Sequence, residues 1–146
     1  MRLHHIAYVT KNIDGKAEEL VRLLGIQRSA EPVVDASQGV RALFLDLGAA
    51  QLELIEPLGP ESPIFKRAQK TPGLFHLCFE VDDLEETLRC VLATGEATLV
   101  KEPSPAPAIG NRRVAFVVSV GNDLIEFVER EAIGDGSGKT ADNSMG

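Results

Sequence analysis

The chain has 146 residues, 44% of them hydrophobic, enough to bury one substantial core in a single domain or in two small fused halves. Its 22 acidic against 15 basic residues leave a net charge of -7 and no basic stripe that could neutralise a phosphate backbone, so nucleic acid is not an expected partner. No apolar run approaches the ~20 residues of a membrane span, and Met1-Arg-Leu-His-His5 lacks a signal-peptide hydrophobic region. Cys78 and Cys90 form neither a disulfide scaffold nor a CxxC motif; free thiols in a cytoplasmic protein are the expectation.

In chain order, Leu3 to Thr10 reads as a strand, and Ile13 to Leu24 as a helix with Ile13, Ala17, Leu20, Val21, Leu23 and Leu24 at helical spacing, stopped by Gly25. Residues 26 to 35 are irregular. Gly39 to Leu47 and Gln51 to Glu56 alternate as a hairpin around Gly48-Ala49-Ala50, with Glu53 pointing away from its leucine neighbours. A Pro/Gly-rich connection follows over Pro57 to Pro63, then a short helix from Ile64 to Lys70 capped by Ser62. The second half runs as strand 74 to 81, a helix capped at Asp82 or Asp83 and carrying Leu84, Leu88, Val91 and Leu92, then Gly95 and a short strand from Ala97 to Val100. Residues 103 to 110 read as a proline-rich loop unable to pair centrally in a sheet. Arg112 to Val120 and Asp123 to Val128 form a closing hairpin around Gly121-Asn122. Residues 131 to 146 read as a flexible tail, and Gly134 to Thr140 lacks the spacing of a phosphate loop.

The two halves repeat the order histidine, apolar strand, aspartate, amphipathic helix, glycine. His5 lies 20 residues before Gly25 and 48 before Glu53; His76 lies 19 before Gly95 and 50 before Glu126. The expectation is an α+β fold of two tandem βαβββ modules, residues 1–56 and 73–130, joined by a linker at 57–72 and forming a curved mixed sheet around a concavity. Singly, each histidine has the plainer role of a hydrogen-bonded core residue and each glutamate that of a solvated strand charge. At matching points of a duplication, His5, Glu53, His76 and Glu126 form a mixed N/O donor set suited to a borderline divalent cation such as Co, Mn, Ni, Zn or Fe(II). A cation with open positions polarises a carbonyl and stabilises the enolate formed when the neighbouring carbon loses a proton. His4 alternates to the opposite face, where it reads as a surface histidine.

At these residues the chain resembles the vicinal oxygen chelate superfamily (glyoxalase, bleomycin resistance and dioxygenase proteins), and within it the methylmalonyl-CoA epimerases. The resemblance covers about residues 3 to 130, through His5-Ile-Ala-Tyr-Val9, Gln38-Gly-Val-Arg-Ala-Leu-Phe-Leu-Asp-Leu-Gly48, Leu52 to Ile64, His76-Leu-Cys-Phe-Glu-Val-Asp-Asp83, Arg113-Val-Ala-Phe116 and Leu124-Ile-Glu126. It implies the paired βαβββ fold, metal ligands at His5, Glu53 (a glutamine in some epimerases), His76 and Glu126, and a homodimer. It also implies a small-molecule substrate of the acyl-CoA or thioester kind, whose α-proton is exchanged on opposite faces by two carboxylates. One of these corresponds to Glu126, the expected catalytic base. The other falls on Ser37, and a serine cannot act as a base at neutral pH without an activating partner. The turn Val117 to Asp123 is shorter than in the epimerases; the 103–108 loop and Arg112 or Arg113 are the candidates to meet an anionic group in its place, surface charge being the alternative. Besides a metal-dependent isomerase, the pattern admits a glyoxalase I-like lyase, an Fe(II) dioxygenase using His5, His76 and Glu126, or a binding protein without turnover.

Overall fold

The computed structural model describes residues 1–131. The expected tail and its glycine-rich segment lie outside those residues but for Glu131. The chain runs β1 (Arg2–Val9), α1 (Ile13–Leu24), β2 (Gln27–Arg28), β3 (Val33–Asp35), β4 (Val40–Asp46), β5 (Gln51–Pro57), α2 (Phe65–Lys70), β6 (Gly73–Val81), α3 (Leu84–Ala93), β7 (Ala97–Ala106), a 3-10 turn (Pro107–Ile109), β8 (Arg112–Ser119) and β9 (Leu124–Glu129). The strands form one curved, mixed sheet of nine, in the order β2-β4-β5-β1-β6-β9-β8-β7, with β3 also paired to β4. The fold is α+β, as the repeated pattern requires.

The helices start and stop where side-chain chemistry dictates. Asn12 accepts the Gly15 N–H at 3.0 Å ahead of α1, and Asp83 accepts the Glu86 N–H at 2.9 Å ahead of α3. Gly25, at φ 67°, takes the left-handed turn that ends α1. α2 starts at Phe65 behind Ile64, without the side-chain cap expected from Ser62. On the outer face, α1 buries Ile13 and Ala17 against Leu43, Leu45 and Leu54. α3 buries Leu84 and Leu88 against Ala115, Val117 and Phe127. Each fully buried Leu or Ile there stabilises the fold by roughly 1.5–3 kcal/mol.

Two segments differ from the sequence expectation. Residues 26–35 contain β2 and β3, too short to carry a periodic signal. The supposed proline-rich loop is the second half of β7, a strand of ten residues in which Pro105 sits opposite Arg113. Prolines are tolerated because β7 closes the sheet edge, where a missing N–H breaks no ladder on the open side, and because the register slips on either side of Lys101.

Candidate metal centre and active site

The four histidine and glutamate residues meet because of strand order and register. Consecutive central strands β5, β1, β6 and β9 carry Glu53, His5, His76 and Glu126 respectively. Glu53 and His76 both sit opposite Ala7, one on each side of β1; His5 and Glu126 both sit opposite Cys78, one on each side of β6. The result is two antiparallel rows, Glu53–Ala7–His76 and His5–Cys78–Glu126, related by a local two-fold. Residues at paired or alternate positions share a face of a sheet, so all four functional side chains enter the concave side. Ala7 and Cys78, both 0% exposed, are the small side chains beneath them.

The donor atoms converge. His5 Nε2 lies 2.7 Å from Glu53 Oε2 and 3.3 Å from Glu126 Oε2; His76 Nε2 lies 2.7 Å from Glu126 Oε2 and 3.3 Å from His5 Nε2. One ligand atom from each residue fits within 4.8 Å of all the others. His5, His76 and Glu126 are buried and Glu53 is largely so. A neutral imidazole has a single N–H, so His5 Nε2 cannot hydrogen-bond two carboxylates and a second imidazole together. Lone pairs pointing at one buried place are what a divalent cation satisfies, and two imidazole nitrogens with two carboxylates suit Co, Mn, Ni, Zn or Fe(II). The residues therefore fit the group that the sequence pattern implies.

Phe44 opposite Glu53 and Phe116 opposite Glu126 hold the imidazoles from the side. The His5–Phe44 and His76–Phe116 rings meet edge-on at 5.4 and 5.3 Å between centroids.

His4 is not the surface histidine that strict alternation predicts. The β1–β6 register runs Leu3↔Phe79 and then His5↔Cys78, so His4 is the extra residue of a β-bulge. The bulge turns its ring onto His5, with Nδ1 2.8 Å from His5 Nδ1. If His5 Nε2 held a cation, the His5 proton would reside on Nδ1 and be donated to His4, which would fix both tautomer and ring angle. Arg112 faces His4 from behind, its Nη1 3.4 Å from His4 Nε2, while its Nη2 donates to Glu80 at 2.7 Å and its Nε to the Glu129 carbonyl at 2.9 Å. The two-fold repeats the bulge at Phe75 of β6, between Ala7↔His76 and Tyr8↔Leu74. Because Phe75 offers no acceptor, His76 Nδ1 is buried without a partner.

Charge balance among these side chains follows from their crowding. Burial opposes the charged form of His5, but the Glu53 carboxylate, with hydrogen bonds to Cys78, Glu126 and Glu53, raises it to about 12. Burial favours the protonated form of Glu126, yet hydrogen bonds from His5 and His76 hold it down at about 2. His4 is pushed down by burial and by the neighbouring charges of His5 and Arg112, so it remains an acceptor. Burial pushes the Cys78 thiol up to about 12, which leaves it unreactive.

The donor cluster forms the floor of a cavity of about 410 Å³, whose walls include Val40, Ile55, Phe75, Ala106 and Phe116. Four further polar side chains line it: Asp35, Ser37, Gln38 and Lys101. Neither arginine marked as an anion contact does. Arg112 is committed to Glu80 and Glu129, and Arg113 to Glu85 and Glu129 on the outside. Lys101 was hidden by its position beside an apparent loop, and Asp35 by the irregularity of its segment.

A curved sheet of nine strands with a His/Glu cluster on its concave side is the vicinal oxygen chelate architecture. The family profile of the Glyoxalase/Bleomycin resistance protein/Dioxygenase superfamily matches residues 4–116, and the chain belongs to that superfamily. Within it, the mitochondrial methylmalonyl-CoA epimerase of Dictyostelium discoideum is 31% identical over 133 residues, covering 88% of this chain and 78% of the relative. The ethylmalonyl-CoA/methylmalonyl-CoA epimerase of Cereibacter sphaeroides is 32% identical over 113 residues, covering 71% and 84%. The crystal structure of methylmalonyl-CoA epimerase from Mycobacterium tuberculosis superposes with a TM-score of 0.79 at 30% identity, over 90% of this chain and 89% of that one.

Proposed function

We propose that this chain is a metal-dependent epimerase that exchanges the α-proton of a branched malonyl thioester such as methylmalonyl-CoA, the compound for which its relatives are named. The observation that carries the reading is the convergence of His5, Glu53, His76 and Glu126 on the cavity floor. These residues would hold the divalent cation. When bound, the cation supplies Lewis-acid polarisation of the substrate carbonyls and so stabilises an enolate.

The chain's own residues do the rest. Glu126 is the base, a buried carboxylate that lines the cavity beside His76. Proton transfer by a positioned group of this kind contributes about 10²–10⁴-fold in rate. The apolar walls, among them Phe75, Phe116, Val40 and Ile55, take the branched alkyl group and exclude water from the enolate. Lys101 offers a cation to the anionic parts of the substrate. Four convergent donors favour this reading over an Fe(II) dioxygenase, which needs three. The free thiols, Cys78 buried and Cys90 exposed, suit a reducing compartment such as the cytoplasm. Among the described residues no helix is long and apolar enough to cross a membrane. A homodimer would cover Leu74 and Leu77, the exposed apolar side chains of β6.

The test is incubation of the full chain with a single epimer of methylmalonyl-CoA in D₂O, with Co²⁺ or Mn²⁺. Deuterium should appear at the α-carbon while the stereochemistry scrambles, EDTA should stop both, and the metal should restore them. Absence of exchange with each of the candidate metals would refute the assignment.

A further inference from the structure

Inverting a carbon centre requires a proton to leave one face and return to the other, and Glu126 can serve only one of them. Among the buried carboxylates of the described residues, Glu126 has one companion, Asp35, 3% exposed at the end of β3. Asp35 lies across the trough from Glu126, with β4, β5, β1 and β6 between their strands, and both line the same cavity. Its Oδ1 accepts the Ser37 hydroxyl at 2.6 Å and the Gln38 N–H at 3.1 Å. Ser37, next to it on the cavity wall, thus already points its hydroxyl proton at a carboxylate.

The strand register shows that this pair is not an inherited feature of the repeat. Phe44 and Phe116 are equivalent, each opposite its glutamate, which makes Val40 equivalent to Arg112. The partner of Val40 is Asp35, and the partner of Arg112 is Ala106. The second half therefore carries a methyl group where the first carries a buried carboxylate.

We propose that Ser37 and Asp35 form the second proton-transfer device, with Ser37 Oγ meeting the α-carbon on the face away from Glu126 and Asp35 accepting the proton through it. This rests on the epimerase reading above. For the epimer presenting its α-hydrogen to that wall, the C–H bond breaks, its proton passes to Ser37 Oγ, and the Ser37 hydroxyl proton passes to Asp35 Oδ1. The electron pair stays on the substrate as the enolate. The reverse transfer regenerates the C–H bond on that face, while Glu126 exchanges the proton on the other. Ser37 is the catalytic residue, since it touches the reacting carbon; Asp35 positions its hydroxyl and holds the proton.

The experiment compares metal-replete wild type with Asp35→Asn and Ser37→Ala, starting from each epimer of methylmalonyl-CoA separately in D₂O and following both deuterium content and chirality. Asn keeps the Oδ1 acceptor for Gln38 N–H, and the Ser37 side chain is exposed to the cavity, so melting temperature and metal content should stay at wild-type values. The expected result is a split. In each variant exchange from one epimer stays within about threefold, while exchange from the other and interconversion of the two fall about 100-fold or more. Ser37→Glu in the Asp35→Asn background should restore interconversion, because it places a carboxylate directly at the wall. Unchanged interconversion in both variants, or equal loss of exchange from both epimers, overturns the proposal. Wild type that exchanges neither epimer would instead refute the epimerase reading itself, and with it this proposal.

Discussion

Glu126→Gln is the substitution on which the proposed metal site and the proposed catalysis both turn. Glu126 is 4% exposed and its Oε2 is shared by His76 at 2.7 Å and His5 at 3.3 Å. Glutamine keeps the shape and one acceptor but removes the buried negative charge, so the site loses one of its two anionic donors. If wild type is held at a cation concentration 100 times its Kd, binding stabilises the fold by about 2.7 kcal/mol. At roughly 2 cal/mol/K per residue this is a rise of about 9 °C in melting temperature. A 100-fold weaker site at the same concentration gains about 0.4 kcal/mol, a rise of about 1 °C. Thermal melts with and without Co²⁺ or Mn²⁺ read this directly, without reference to turnover, and α-proton exchange should fall about 10²–10⁴-fold alongside. A metal-dependent shift in Glu126→Gln as large as that of wild type would refute the role of Glu126 as a ligand.

Three further outcomes follow from the geometry. His4→Phe removes the acceptor for His5 Nδ1, so calorimetric titration should find the cation bound about 10- to 100-fold more weakly; equal affinity would show that His4 does not orient His5. Arg112→Gln should cost about 1.5–3 kcal/mol at pH 7, through its charge-assisted bond to Glu80. That bond holds Glu80 below the ordinary carboxylate range, so its contribution is present above the unfolded value of about 4.3 and is lost as pH falls through the folded one. Urea melts should therefore show the gap between Arg112→Gln and wild type narrowing toward pH 3, and a gap independent of pH would contradict the assignment. Leu54→Ala, at a 0% exposed position under α1, should lower the unfolding free energy by about 2–5 kcal/mol in the same assay.

The duplication was legible because it is written in periodic elements. α1 spans Ile13–Leu24 as its apolar spacing predicts, and, β7 apart, the strands long enough to alternate fall within a residue or two of their expected ends. What escaped was aperiodic. A bulge inserts one residue and reverses the facing of its neighbours, so His4 cannot be placed from alternation; it takes the pairing partner to reveal the slip. The prolines of β7 read as a loop because sequence does not say which strand lies at an edge. Arg112, expected to meet an anionic group, is instead paired with Glu80, a partner 32 residues away in the chain that sequence order does not reveal.

The departures from symmetry are the most informative part of the site. The duplication supplies two imidazoles, two carboxylates, two flanking phenylalanines and two bulges, each related to its mate by the register of β1 with β6. A cation can be bound by such a symmetric set, but a substrate that is itself asymmetric gains nothing from identical walls. The walls differ where an acyl group would lie: Asp35 with Ser37 on one side, Ala106 at the matching position on the other, with Lys101 further along β7. His4 and Phe75 differ likewise, so the His5 ring is oriented by an acceptor while His76 Nδ1 has none. In the proposed reaction the symmetric residues would hold the cation, and the asymmetric ones would distinguish the two faces of the carbon.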